Sequence, residues 1–107
     1  MIATRRLLQQ VHITLFTRPN CSLCTSAKAV LSDVWDTRPF AYTETDVMSP
    51  GQEKWRNHYE FDTPVIHVER NTTPFATTAA ARKLMHRFTE KQVKRLMNEV
   101  EKDTTQR

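Results

Sequence analysis

The chain of 107 residues holds two cysteines, Cys21 and Cys24, in the spacing Cys-x-x-Cys. A thiol becomes a nucleophile as thiolate, and thiolate is favoured where unpartnered backbone N–H groups and the positive end of a helix dipole face the sulfur. The flanking residues predict that setting. Ile13-Thr14-Leu15-Phe16-Thr17 is β-branched and aromatic and ends near the turn signal Pro19-Asn20. Leu23, Ala27, Val30, Leu31, Val34 and Trp35 then recur at helical spacing. A strand thus aims a tight turn, and a helix opens on Cys21 with both cysteines in its first turn. In that setting the pair reads as a redox motif.

Two other readings of the cysteines compete. Free cysteine often serves as a small core hydrophobe. Four-coordinate zinc needs two further ligands, yet the chain has no second Cys-x-x-Cys, and His12, His58, His67 and His86 stand at no ligand spacing. No metal is expected.

The elements around the pair follow in order. Asp36-Thr37-Arg38-Pro39 breaks the first helix, and Phe40 to Val47 alternates as a half-buried strand. Pro50 and the single glycine, Gly51, mark a turn into a second helix over Gln52–Tyr59, with Trp55, Tyr59 and His58 facing inward. Thr63-Pro64 announces a third strand, Val65-Ile66-His67-Val68-Glu69, with the proline at its first position. Residues 71–81 read as a long surface connection. Arg82 to Phe88 is a fourth strand with Leu84, His86 and Phe88 on one face and Met85 on the other. Thr89 and Gln92 form a capping-box pattern that opens a last helix running to about Lys102, with Val93, Leu96, Met97 and Val100 as its stripe. Trp35, Trp55, Phe61 and Phe88 are expected in the core, and His67 as a satisfied structural histidine. The order is β-α-β-α-β-β-α: a parallel β-α-β unit followed by an antiparallel hairpin.

Composition bounds the rest. The length suits one domain: a basic extension over residues 1–11, a domain over residues 12–102 and a tail over residues 103–107. Two cysteines make no disulfide framework, and that usage fits a reducing compartment. The net charge of +4 is spread among acids and bases, with no nucleic-acid-binding module pattern, so no nucleic acid is expected as a partner. No apolar run approaches membrane-spanning length, and no membrane partner is expected. Met1 to Gln10 carries Arg5 and Arg6 without an acid. It reads as a basic N-terminus or as a targeting segment ending before Val11, so the expected location is cytoplasmic, with mitochondrial as the alternative. The basic stretch Arg82-Lys83, Arg87, Lys91, Lys94-Arg95 reads as a solvated face able to steer an acidic partner.

The element order, with Cys-x-x-Cys at the first helix and Thr-Pro before the third strand, resembles the thioredoxin fold in its compact glutaredoxin form. Leu15-Phe16-Thr17-Arg18-Pro19-Asn20-Cys21-Ser22-Leu23-Cys24 is similar to the short glutaredoxin-like proteins of fungi and animals. The resemblance covers Ile13 to Lys102 and implies an α/β fold with a four-stranded mixed sheet and helices on both faces. It implies a thiol–disulfide oxidoreductase in which Cys21 is the nucleophile and Cys24 the resolving thiol. Arg18 stands where glutaredoxins keep a lysine that stabilises the thiolate and receives a glutathione carboxylate. Pro64 matches the family's cis-proline, and Thr63 before it would offer its backbone N–H and C=O to a bound cysteinyl group. Glutathione is implied as co-substrate, with no tightly bound cofactor, and protein or small-molecule disulfides as partners of a monomer. In some glutaredoxins two chains share an iron–sulfur cluster with bound thiols.

The chain departs from the family pattern at three places. The glycine pair before the last helix becomes Arg87-Phe88-Thr89-Glu90, where Phe88 is expected to obstruct close approach of glutathione. The usual Thr-Val-Pro becomes Asp62-Thr63-Pro64, whose acid would repel a carboxylate. The connection over residues 71–81 exceeds a tight hairpin. These departures keep a second function open, a thioredoxin-fold binding or scaffold protein without efficient glutathione-linked catalysis. Arg56 and Asp62 read either as substrate contacts or as plain surface charges.

Overall fold

In the computed structural model, which describes residues 10–72 and 75–105 and side chains through Lys102, the central strand is β1, Val11–Thr17. All of β1 is buried, because strands and helices cover it on every side. The other elements are α1 (Ser22–Thr37), β2 (Ala41–Asp46), α2 (Glu53–Tyr59), β3 (Val65–Arg70), β4 (Arg82–Met85) and α3 (Glu90–Thr105). The sheet order is β2-β1-β3-β4, with β1 parallel to β2 and antiparallel to β3, and β4 antiparallel to β3. This is the expected β-α-β unit followed by a hairpin.

Period-two alternation divides β1 between two cores. Val11, Ile13 and Leu15 pack with Ala27, Leu31 and Val34 of α1 and with Val93, Met97 and Val100 of α3. Phe16 points to the opposite face and packs with Val47, Val65 and Tyr59 of α2, backed by Trp55 and Met85. Helices therefore lie on both faces. The capping box forms as expected: Gln92 N–H donates to Thr89 Oγ1 at 3.2 Å, and Thr89 N–H donates to Gln92 Oε1 at 2.9 Å.

Several expectations are corrected. Trp35 is 47% exposed and Phe61 86% exposed, so neither is core. Trp35 lies at the edge of the α1 stripe, where its indole N–H donates to the Phe40 carbonyl at 3.2 Å. His58 is exposed while Trp55 and Tyr59 turn inward. Strand β4 ends at Met85 because His86 adopts a left-handed backbone, φ 66°, that no strand continues. Leu84 and Met85 do serve opposite cores, and Phe88 reaches the first core from the turn beyond. The connection after β3 is more than a surface loop, since Phe75 stacks flat on His12 with ring centroids 3.5 Å apart. Helix α3 runs to Thr105, beyond the expected Lys102. The targeting-segment expectation for Met1–Gln10 lies outside the described residues except at Gln10.

Candidate active site

Cys21 is the N-cap of α1, and its place there follows from the backbone on either side. Asn20 takes a left-handed turn at φ 58°, a conformation asparagine tolerates, and Cys21 then lies extended at φ −119°. The cap side chain accepts from the helix: Cys24 N–H donates to Cys21 Sγ at 3.1 Å. Serine, threonine, asparagine and aspartate are the usual caps, so a sulfur in this position takes up a helix-end donor that an oxygen would otherwise satisfy. No acidic residue stands in the first turn of α1 to compete with a thiolate. Cys21 is half-buried, whereas Cys24 is 2% exposed within the α1 face of the sheet. The two sulfurs are joined as a disulfide.

The opposite wall is the segment before β3. The Thr63–Pro64 peptide bond is cis, as the resemblance implied. Pro64 is buried, and its carbonyl accepts from His86 N–H at 2.7 Å, extending the β3–β4 ladder past the strand end. Thr63 lies beside Cys21 with its hydroxyl oxygen 4.0 Å from Sγ. The resemblance pointed to the backbone of Thr63; its hydroxyl is a further group facing the sulfur. A β-branched residue before proline gives no sequence signal for that role.

Arg18 ties the walls together. Its guanidinium donates to the Glu60 carbonyl at 3.0 Å, and it lines a hollow of about 530 Å³ with Cys21, Cys24, Thr25 and Lys28. Lys28 pairs with Glu44 at 2.9 Å, and this contact is the main cause that holds the Glu44 carboxyl below its ordinary range. Asp62 beside Thr63 turns its carboxylate to His86, with Oδ1 3.5 Å from Nε2. Phe88 is 8% exposed within the first core, so its ring does not block the surface where the family's glycines lie. What stands at that surface in place of the glycines is Arg87, Thr89 and Glu90, all exposed. Arg56 is half-buried on α2, and its carbonyl accepts from Glu60 N–H at 2.9 Å.

Behind Phe16 the sheet carries a polar row that sequence reading missed. Thr43, Thr14, His67 and Lys83 are register partners across the four strands. His67 is fully buried and bonded at both ring nitrogens: Tyr59 Oη lies 2.7 Å from Nε2, and Thr77 Oγ1 lies 2.7 Å from Nδ1. Thr77 in turn donates to Glu69 Oε1 at 2.5 Å. A carboxylate only accepts, so the donor order is fixed from that end. Thr77 gives its proton to Glu69, His67 Nδ1–H donates to Thr77, and Tyr59 donates to Nε2. Burial pushes His67 down to about 4, with Lys83 and His58 charges adding to it, so the ring is neutral. His67 is thus the satisfied structural histidine expected of it. Thr14 Oγ1 is the buried side-chain atom in this row without a partner among the described residues. Among the described residues no group of three or more His, Cys, Asp or Glu side chains is arranged to hold a metal ion.

The model of the family described as Glutaredoxin-like domain matches residues 12–98. A glutaredoxin-like protein of Dictyostelium discoideum is 31% identical over 66 residues, 58% of this chain and 61% of that protein. The match therefore spans about six tenths of that relative's length. Among solved structures, a structural-genomics target from X. campestris aligns with a TM-score of 0.59 at 17% identity, over 81% of this chain and 96% of its own. Thioredoxin-2 of a malaria parasite aligns at 0.60 and 14% identity, over 84% and 82% of the two chains. A Thermus thermophilus thioredoxin aligns at 0.56 and 16% identity, over 92% and 79%. Likeness at such low identity speaks to fold, and the fold is that of thioredoxin.

Proposed function

The chain belongs to the glutaredoxin-like family, and on that footing we propose that it is a thiol–disulfide oxidoreductase working through Cys21 and Cys24. The observation that carries this reading is the cap: the half-exposed sulfur of Cys21 accepts the Cys24 amide at 3.1 Å at the positive end of a 16-residue helix. An N–H aimed at a sulfur stabilises thiolate more than thiol.

The reaction runs in two exchanges. The Cys21 thiolate attacks one sulfur of a substrate disulfide, forms a mixed disulfide and releases the other sulfur as thiolate. Cys24 loses its proton to solvent and attacks Cys21 Sγ. The second substrate thiolate leaves, and the Cys21–Cys24 disulfide remains. The substrate has gained two electrons and, on protonation, two protons. A thiol reductant, glutathione in the family's pattern, returns those electrons by the same exchanges in reverse. Arg18 stands in the hollow beside Cys21 to receive a carboxylate, and Thr63 next to cis-Pro64 offers its backbone and hydroxyl to the cysteinyl group.

The test is pH-dependent alkylation of Cys21 in a Cys24→Ser variant, joined to reduction of hydroxyethyl disulfide by wild type in the presence of glutathione. A titration midpoint well below the free-thiol value of about 8.5, with steady turnover lost in Cys21→Ser, is expected. A thiol that titrates as a free one and does not exchange would leave a thioredoxin-fold binding protein. Rapid attack without glutathione turnover would assign another thiol donor.

A further inference from the structure

Phe61 is 86% exposed, far more than Trp35 at 47% or Tyr42 at 42%. It stands two residues before Thr63, on the wall that faces Cys21. The turn carrying it is pinned on both sides. Glu60 accepts from Arg18 at 3.0 Å and donates its N–H to Arg56 O at 2.9 Å. Asp62 donates its N–H to Tyr59 O at 2.9 Å and pairs with His86 at 3.5 Å. The ring is therefore held out from the surface by contacts that also build the redox site, and nothing in either core claims it.

Two hollows along the start of α1 are lined by basic rather than acidic side chains. The hollow on one side of the pair is lined by Arg18 and Lys28, and the smaller one along α1 by His86 and Arg87. Among the described residues, neither lining includes a carboxylate. Glu44 stands nearby and is paired with Lys28, while Glu60 and Asp62 flank Phe61 in the chain, with Asp62 Oδ1 3.5 Å from His86 Nε2.

We propose that Phe61 is a docking anchor for protein disulfides, and that the partner presents acidic residues and an apolar side chain beside its reactive cysteine. This rests on the oxidoreductase reading and names the substrate class of the same site. Glutathione explains the cations but not the ring, since the tripeptide has no apolar side chain to lay against it. Large aromatic side chains that become buried on association are what anchor protein interfaces, and charge complementarity selects the partner around them.

Three synthetic peptides test this, each with its cysteine joined to 5-thio-2-nitrobenzoate: one with aspartates and a leucine beside the cysteine, one with the leucine replaced by serine, one with lysines for aspartates. Rates with wild type and Phe61→Ser are compared with those on hydroxyethyl disulfide. For the acidic leucine peptide, Phe61→Ser is expected to lower kcat/KM about tenfold, through KM, while the small disulfide changes less than about twofold. Removing the leucine should cost wild type a similar factor and cost the variant little, because the two groups share one contact. The acidic peptide should be preferred over the lysine peptide, and salt should narrow the gap. Equal effects of Phe61→Ser on peptide and small disulfide, no effect on either, or preference for the lysine peptide would each overturn the proposal. A wild type active on hydroxyethyl disulfide but indifferent to Phe61 ends this inference alone. One inert toward both disulfides ends the oxidoreductase reading, and this inference with it.

Discussion

The hydroxyl oxygen of Thr63 lies 4.0 Å from Cys21 Sγ, a contact across 42 positions of sequence. The hydroxyl turned toward the sulfur can donate to a thiolate as negative charge develops. Thr63→Val keeps the β-branched shape and the backbone groups but removes the donor. We expect Cys21 to titrate at higher pH and disulfide exchange to slow roughly three- to tenfold, since hydrogen bonds to charged groups outweigh neutral ones. Alkylation rates followed across pH check this; an unchanged profile would confine the role of Thr63 to its backbone.

His67 makes stability fall in acid. Its folded value of about 4 lies below the ordinary 6.5, so between those limits the unfolded chain takes up a proton that the folded chain refuses. The contribution is complete above about pH 6.5 and is lost as pH falls toward 4, by about 3 kcal/mol in all. Burial also lowers His12, and its effect has the same sign. Urea midpoints measured from pH 8 to pH 4 should show a plateau and then a decline. In His67→Gln the plateau should be lower and the decline shallower.

Thr77→Val should cost about 1–3 kcal/mol, because it leaves the buried Nδ1–H of His67 without an acceptor. The loss should appear in urea unfolding while the thiol titration of Cys21 stays in place. Thr77 acts on the far face of the sheet.

Phe88→Ala tests what stands in place of the family's glycines. Phe88 packs with Val93 and Met97 in the first core, so truncation should destabilise by about 3 kcal/mol. Because its ring is not in the way, glutathione turnover should not rise. A variant with faster glutathione exchange would show that the ring does restrict the site.

The sequence made the sheet legible because its strands differ from its helices in period, and because Thr63-Pro64 and Thr89-x-x-Gln92 are chemical boundary marks. Cys21 at the helix start was legible for the same reason. Phe61 was not, since an aromatic beside a short helix reads as core unless one knows that Phe16, Val47, Tyr59 and Val65 already fill that space. The strand through His86 was over-read. Apolar alternation at Leu84, His86 and Phe88 continues past the point where the backbone turns left-handed, and Phe88 regains the core by another route. His67 was legible as a structural histidine, but the row it shares with Thr43, Thr14 and Lys83 was not, because strand register is not written in a single strand's sequence. The connection after β3 folds back over this face, with Phe75 stacked on His12 and Thr77 bonded to His67.

In the exchange proposed above, the sulfur that caps α1 is also the sulfur that trades electrons, and this makes the helix a participant in the redox couple. A thiolate is a better acceptor for the Cys24 amide than a sulfur in a disulfide, so the start of the helix is expected to be held more firmly in the reduced protein. Each turnover on that reading would tighten and slacken one end of a helix that packs on the sheet along its length. Any change that frays or firms that end shifts the balance between dithiol and disulfide without touching a cysteine, and the exchange of one backbone proton with solvent becomes a gauge of which form is present.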